Sequence, residues 1–214
     1  MNKPAIHIKK GRKFDQVLAG ARSVFMEQGY EGASVDDIAR AANVSKATLY
    51  SYFPNKESLF TQVAIGECLN QADRATAEID LTAPVAEVLR AAANHLLGFF
   101  LSDFGISIYR ICVAESGRFP DLGRHFYETG PARAQNILTS YLAQATERGE
   151  LQIAPADLTL AAHQFVELCR AGLFHRRLFF VQTEFTPAER DQVAQGATDM
   201  FLAHYKARPE LPGG

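Results

Sequence analysis

The chain has 214 residues, of which 47% are hydrophobic and 21% charged. That balance supports a packed core and excludes a disordered chain, and the length suits one moderate domain or a small domain joined to a larger one. The net charge of −2 would argue against a nucleic-acid binder, but the charge is unevenly placed.

Residues 1–56 carry nine Lys/Arg against five Asp/Glu, whereas the rest of the chain carries thirteen against nineteen. A basic head on an acidic body is the electrostatic footprint of a small DNA-binding module with a second function attached. The longest apolar run, Leu96 to Leu101, contains Gly98 and is far too short for a bilayer span. The basic N-terminus, with Lys3, Lys9, Lys10, Arg12 and Lys13, lacks the apolar segment of a secretory leader. Cys68, Cys112 and Cys169 are widely spaced, odd in number and outside any CxxC pair, as expected for free thiols in the cytoplasm.

In chain order the period is helical. Phe14, Leu18, Ala21 and Phe25 form one apolar stripe, with Val17 and Val24 beside them, and Gly29 suits the residue after a helix end. A helix is therefore expected over roughly 12–28. Ser34 opens a second, with Asp37 completing a capping-box-like pair. Ala42-Asn43-Val44 interrupts it, since Asn tolerates the left-handed backbone of a tight turn. Ser45 caps a very short third helix, with Leu49 and Phe53 inward and Pro54 ending it. Asn55 caps a fourth, over roughly 56–79.

Further helices are expected over about 84–102, 105–115, 120–148 (broken at Gly130-Pro131) and 155–181. Thr186-Pro187-Ala188-Glu189 is a complete start signal for a last one, to about 206. The fold class is all-α, with nine to ten helices. The division is a basic arm over 1–11, a three-helix head over 12–56, a larger helical bundle over 57–207 and a tail over 208–214.

Residues 34–53 have the anatomy of a helix-turn-helix, whose second helix enters a major groove with its N-terminal residues against base edges. Ser45 and Thr48 offer hydroxyls there, Lys46 a charged tip, and Ala47 a close approach that suits a thymine methyl. Tyr50, Ser51, Tyr52 and Lys56 are candidate phosphate donors. The tyrosines also suit a core, but Leu49 and Phe53 already fill the inner stripe, so at least Tyr50 points outward.

The run FMEQGYEGASVDDIARAANVSKATLYSYFPNKESLF resembles the N-terminal domain of the TetR/AcrR family of regulators. The GY, the S-V-x-x-I-A-x-x-A core, the V-S-K-A-T-L-Y-x-Y-F helix and the N-K-E-x-L-F that follows fit in register, with Asn43 where the family usually has glycine. The resemblance covers roughly residues 12–60. It implies DNA contacts from Ser34, Ser45, Lys46, Ala47, Thr48, Tyr50, Ser51, Tyr52 and Lys56. It also implies a C-terminal domain that dimerises and binds an effector.

The apolar arc over 155–181 is wide for a surface helix, and with the last helix it suits a two-fold contact through Ala161, Phe165, Leu168, Gly172, Ala197, Met200 and Phe201. An intramolecular core is the other reading of the same arc. Polar groups set in apolar sequence (His95, Tyr109, Cys112, His163, Gln164 and Glu167) with Phe99, Phe100, Phe104 and Phe126 suit a mostly apolar effector pocket. For any single one of them a solvated, locally satisfied or core residue is the stronger reading, and His163 and Glu167 have the spacing of a helix-surface pair. No metal-ligand spacing and no cofactor or catalytic motif is present.

The expected function is a sequence-specific, homodimeric transcriptional regulator. It binds double-stranded DNA and is a repressor released from a pseudo-palindromic operator by a partly apolar small molecule. A ligand-responsive activator is the alternative within that fold, and a helical enzyme or an architectural DNA-binding protein the alternatives outside it.

Overall fold

The computed structural model describes residues 11–117 and 120–207, so the basic arm, apart from Gly11, and the tail from residue 208 lie outside the described residues. The described residues form eleven α-helices and one 3-10 turn, with an isolated bridge between Leu151 and Lys206. Contacts divide the chain between Glu67 and Cys68, inside the fourth helix.

The first unit holds α1 (Arg12–Gly32), α2 (Val35–Ala41), α3 (Lys46–Tyr52) and the start of α4 (Lys56–Glu78). Gly29 has φ 70°, so α1 breaks where the sequence placed its end. The stripe of α1 is buried at Phe14, Val17, Ala21, Val24 and Phe25, and Ile38, Leu49, Phe53, Leu59 and Phe60 of the same unit are buried with it. Phe14 stacks on Phe53 at 5.4 Å, and Phe25 meets Phe60 edge-on at 4.9 Å, geometries that add to the area they bury.

Gly20 lies where α1 crosses the end of α2. A Cβ there would stand 2.5 Å from the Ala42 amide nitrogen, so only glycine allows the approach.

The second unit contains α5 (Val85–Phe100), α6 (Asp103–Glu115), α7 (Pro120–Thr129), α8 (Pro131–Glu147), α9 (Leu158–Leu168), α10 (Leu173–Leu178) and α11 (Pro187–Tyr205). α5 and α9 both pack on α11, and α8 packs on α9. Leu89, Leu97, Leu142, Ala161, Phe165 and Phe201 are buried at their common core. Ser102 accepts a hydrogen bond from the Gly105 amide at 2.9 Å, so α6 starts before Gly105 rather than after it.

The single helix expected over 155–181 is in fact a 3-10 turn at Pro155–Asp157, then α9 and α10. Gly172, with φ 74°, breaks it, a backbone conformation open chiefly to glycine. This break takes the helix count one above the expected range.

Candidate nucleic-acid interface

Two local caps build the motif. The Ser34 hydroxyl accepts from the Asp37 amide at 3.0 Å and donates to Asp37 Oδ2 at 2.6 Å. Aspartate is one methylene shorter than glutamate, and its carboxylate meets the hydroxyl of the cap. At α11 the longer Glu189 reaches the Thr186 amide and completes the box. Ser45 accepts from the Thr48 amide at 3.1 Å and opens α3. Between the two helices Asn43 takes φ 51°, the left-handed turn expected of it.

These constraints leave one face of α3 open. Lys46, Ala47, Tyr50 and Ser51 are exposed, as is Ser45, while Thr48 is half-buried. Tyr50 is 48% exposed and Leu49 fully buried, so the tyrosine points outward. Tyr52 is half-buried and packs edge-on against Phe14 at 5.7 Å. Ser51 Oγ donates to the Thr48 carbonyl at 2.6 Å.

Two lysines have partners that sequence spacing did not reveal. Lys46 Nζ lies 2.6 Å from Asp36 Oδ1, across the turn on α2. The hydrogen bond and the charge of Asp36 raise the Lys46 pKa above the ordinary lysine value. Lys56 is half-buried and donates to the carbonyls of Tyr30 at 2.9 Å and Ala33 at 3.1 Å, with the Tyr30 ring 4.3 Å away. Its charge is spent on the C-terminal end of α1, which favours a cation. Ser34, half-buried, is likewise engaged as a cap.

In the second unit the candidate pocket residues separate. Phe100 and Tyr109 meet Phe174 at 5.9 and 5.2 Å, with Phe99 beside Phe100. Phe104 is buried, and Phe126 and His163 are half-buried. His95 Nε2 stands 3.5 Å from Glu78. Burial pushes the half-buried Cys112 thiol up to about 11, which makes it a poor nucleophile at neutral pH. Cys169 is buried, and the Cys68 side chain is outside the described residues.

Gln164 and Glu167 sit on an outer groove between α9 and α11, lined also by Leu168, Ala171, Met200 and His204. Glu167 pairs with Arg170 at 2.9 Å, not with His163. Among the described residues no group of three His, Cys, Asp or Glu is placed to hold a metal ion.

The residues proposed for a two-fold contact divide as well. Ala161, Phe165, Ala197 and Phe201 are buried inside the protomer, with Phe165 and Phe201 edge-on at 5.3 Å. Their apolar surface is already covered, which corrects their assignment to an intermolecular contact. Met200, 63% exposed, Gly172, exposed, and Leu168, half-buried, remain accessible. No single helix among the described residues is long and apolar enough to cross a membrane.

The family model for bacterial regulatory proteins of the tetR family matches residues 17–63, and that for the AefR-like transcriptional repressor C-terminal domain matches residues 87–207. The biofilm operon icaADBC HTH-type negative transcriptional regulator IcaR of Staphylococcus epidermidis is 36% identical over 56 residues, 26% of this chain and 30% of that protein. The match thus spans under a third of the length of that curated relative. Among solved structures, the flavonoid-responsive regulator FrrA is 35% identical and covers 94% of this chain and 100% of its own, with a TM-score of 0.68. A regulator from Mesorhizobium loti described as TetR-family is 27% identical with the same coverage and a TM-score of 0.78.

Proposed function

The chain belongs to the TetR family of bacterial transcriptional regulators, and we propose that it is a homodimeric repressor that binds a pseudo-palindromic operator through α3. The observation that carries this reading is the open face of α3. Lys46, Ala47, Tyr50 and Ser51 stand exposed on a short helix held by a serine cap, a left-handed Asn43 turn and a buried Leu49. Such a helix meets base edges with its first turn, and two copies reach successive major grooves about 34–36 Å apart. Lys46 and Thr48 read bases, and Tyr50, Ser51 and Tyr52 anchor phosphates. Lys56 acts indirectly, by holding the end of α1.

The second copy docks on the outer groove of α9 and α11. Leu168, Ala171 and Met200 are the apolar part of that groove, with Gln164 and His204 around them. The effector is a partly apolar small molecule, and the aromatic group of Phe99, Phe100, Tyr109 and Phe174 favours a flat ring system. Because FrrA is named as flavonoid-responsive, flavonoids are the first class to try. An effector that prefers the body of the DNA-incompetent state shifts the population away from the operator.

The test is selection of bound duplexes from a random-sequence pool with the full chain, followed by gel shift with and without flavonoids. The expected result is one inverted-repeat site, shifted at low concentration and released by effector. Equal affinity for every duplex, or no binding, overturns the reading.

A further inference from the structure

We propose that Asp36 is a specificity-determining residue: it holds the Lys46 ammonium in place across the helix-turn-helix, so that Lys46 contributes to sequence-specific complexes and little to indiscriminate ones. The inference rests on the reading of α3 as the DNA-contacting helix.

A lysine at the first position of such a helix is by default a sequence-blind ligand. Its ammonium is a compact point charge on a flexible stem, and any phosphate within reach satisfies it. Phosphate neutralisation supplies essentially all of non-specific affinity. A free Lys46 would therefore raise binding to every duplex together.

Here the ammonium already has a partner across the turn. Its Nζ lies 2.6 Å from Asp36 Oδ1, with the two side chains 54% and 60% exposed. The neighbouring carboxylate is not an alternative partner. Asp37 is engaged by the Ser34 hydroxyl at 2.6 Å and by Arg40 Nη1 at 2.8 Å. The Ser45 and Thr48 hydroxyls lie 2.9 Å apart and bond each other.

Two consequences follow from this placement. The tether orders Lys46 at the leading edge of α3 before DNA arrives, which lowers the entropic cost of a directed base contact. Asp36 also leaves a carboxylate beside that ammonium. A phosphate approaching Lys46 in a misaligned complex meets a nearby negative charge, an element that acts against the wrong partner. An exposed pair of this kind is weak, so a well-placed base acceptor can still draw Lys46 away.

The experiment uses the full chain as wild type, Asp36→Asn, Lys46→Met and the double variant. Each is titrated by fluorescence anisotropy against the selected duplex and a random-sequence duplex of equal length, over a potassium chloride series. Asp36→Asn is expected to tighten binding to the random duplex about two- to fivefold per head, the range of an exposed charge pair. Its salt slope should steepen by about 0.9 per head, one phosphate's worth of counterion release. The selected duplex should gain less, so discrimination falls. In the Lys46→Met background the same substitution should change little.

Unchanged discrimination and slope in Asp36→Asn, with wild-type selectivity intact, overturn this proposal alone. Equal tightening in the Lys46→Met background also overturns it, because Asp36 then acts without Lys46. A wild-type chain that binds neither duplex overturns the DNA reading and this proposal together.

Discussion

Arg22 on α1 and Glu67 on α4 form a two-pronged ion pair: Nε donates to Oε1, and Nη2 donates to Oε2 at 3.1 Å. Glu67 is 5% exposed, whereas the Arg22 side chain is 45% exposed. The hydrogen bond and then the charge of Glu67 raise the Arg22 pKa, against the opposing effect of burial. The unequal burial makes the pair asymmetric under mutation. Arg22→Met strands a buried carboxylate and should cost about 1–3 kcal/mol. Glu67→Met frees an arginine that can turn into water and should cost less. Urea denaturation of both variants checks the order.

Gly20→Ala should destabilise by about 1–3 kcal/mol, because the new Cβ meets the backbone of Ala42 and α1 must move off α2. Gly66→Ala is the control. It lies inside α4 with no atom beyond its chain neighbours and its own helix backbone within 4 Å of its would-be Cβ, and should stabilise by about 0.4–1 kcal/mol through a less flexible unfolded chain. Thermal melts of opposite sign are expected. The same sign for both would remove the close approach as the reason for Gly20.

Lys56→Met should cost about 1–2 kcal/mol, since its ammonium bonds two carbonyls at the end of α1. The salt slope of DNA binding should be unchanged. A direct phosphate contact would instead flatten it by about 0.9 per head and leave the melting temperature alone.

The capping box of α11 makes an acid-sensitive contribution. The Thr186 amide, then Gln182 and the Thr186 hydroxyl, hold the Glu189 carboxyl below the usual carboxylate range. A pKa depressed by folding gives stability that is present above the unfolded value and lost as pH falls through the folded one. The melting-temperature gap between wild type and Glu189→Gln should be full at neutral pH and close as pH falls through the ordinary glutamate range and then the lower folded value. A gap independent of pH would assign the cap to the Thr186 hydroxyl alone.

Met200→Arg should give a folded monomer with intact helical circular dichroism and little operator affinity, since this residue is exposed on the proposed two-fold face. Ala161→Arg should unfold the body instead, because Ala161 has no exposed surface in the protomer and an unpaired buried charge is costly. Sedimentation and circular dichroism separate the two. A Met200→Arg dimer of wild-type affinity would place the contact elsewhere.

The chain sequence determined what is settled within a few residues. The caps at Ser34, Ser45 and Thr186, the left-handed Asn43 and the break at Gly29 each depend on groups within about one helical turn, so residue type and spacing identify them. The outward direction of Tyr50 followed from the period that places Leu49 inside. Gly172 was visible too, but it reads equally as a small packing residue or as a helix break, and only its φ of 74° decides.

Tertiary structure decided everything that depends on which faces meet. Periodicity marks Ala161, Phe165, Ala197 and Phe201 as apolar, but not whether a neighbouring helix or a second chain covers them; within the protomer they belong to one buried cluster. A charge on a surface helix has many candidate partners in sequence and one in space. Folding alone brought Asp36 to Lys46, Glu67 to Arg22 and the end of α1 to Lys56, because distances between helices are set by how their buried stripes pack.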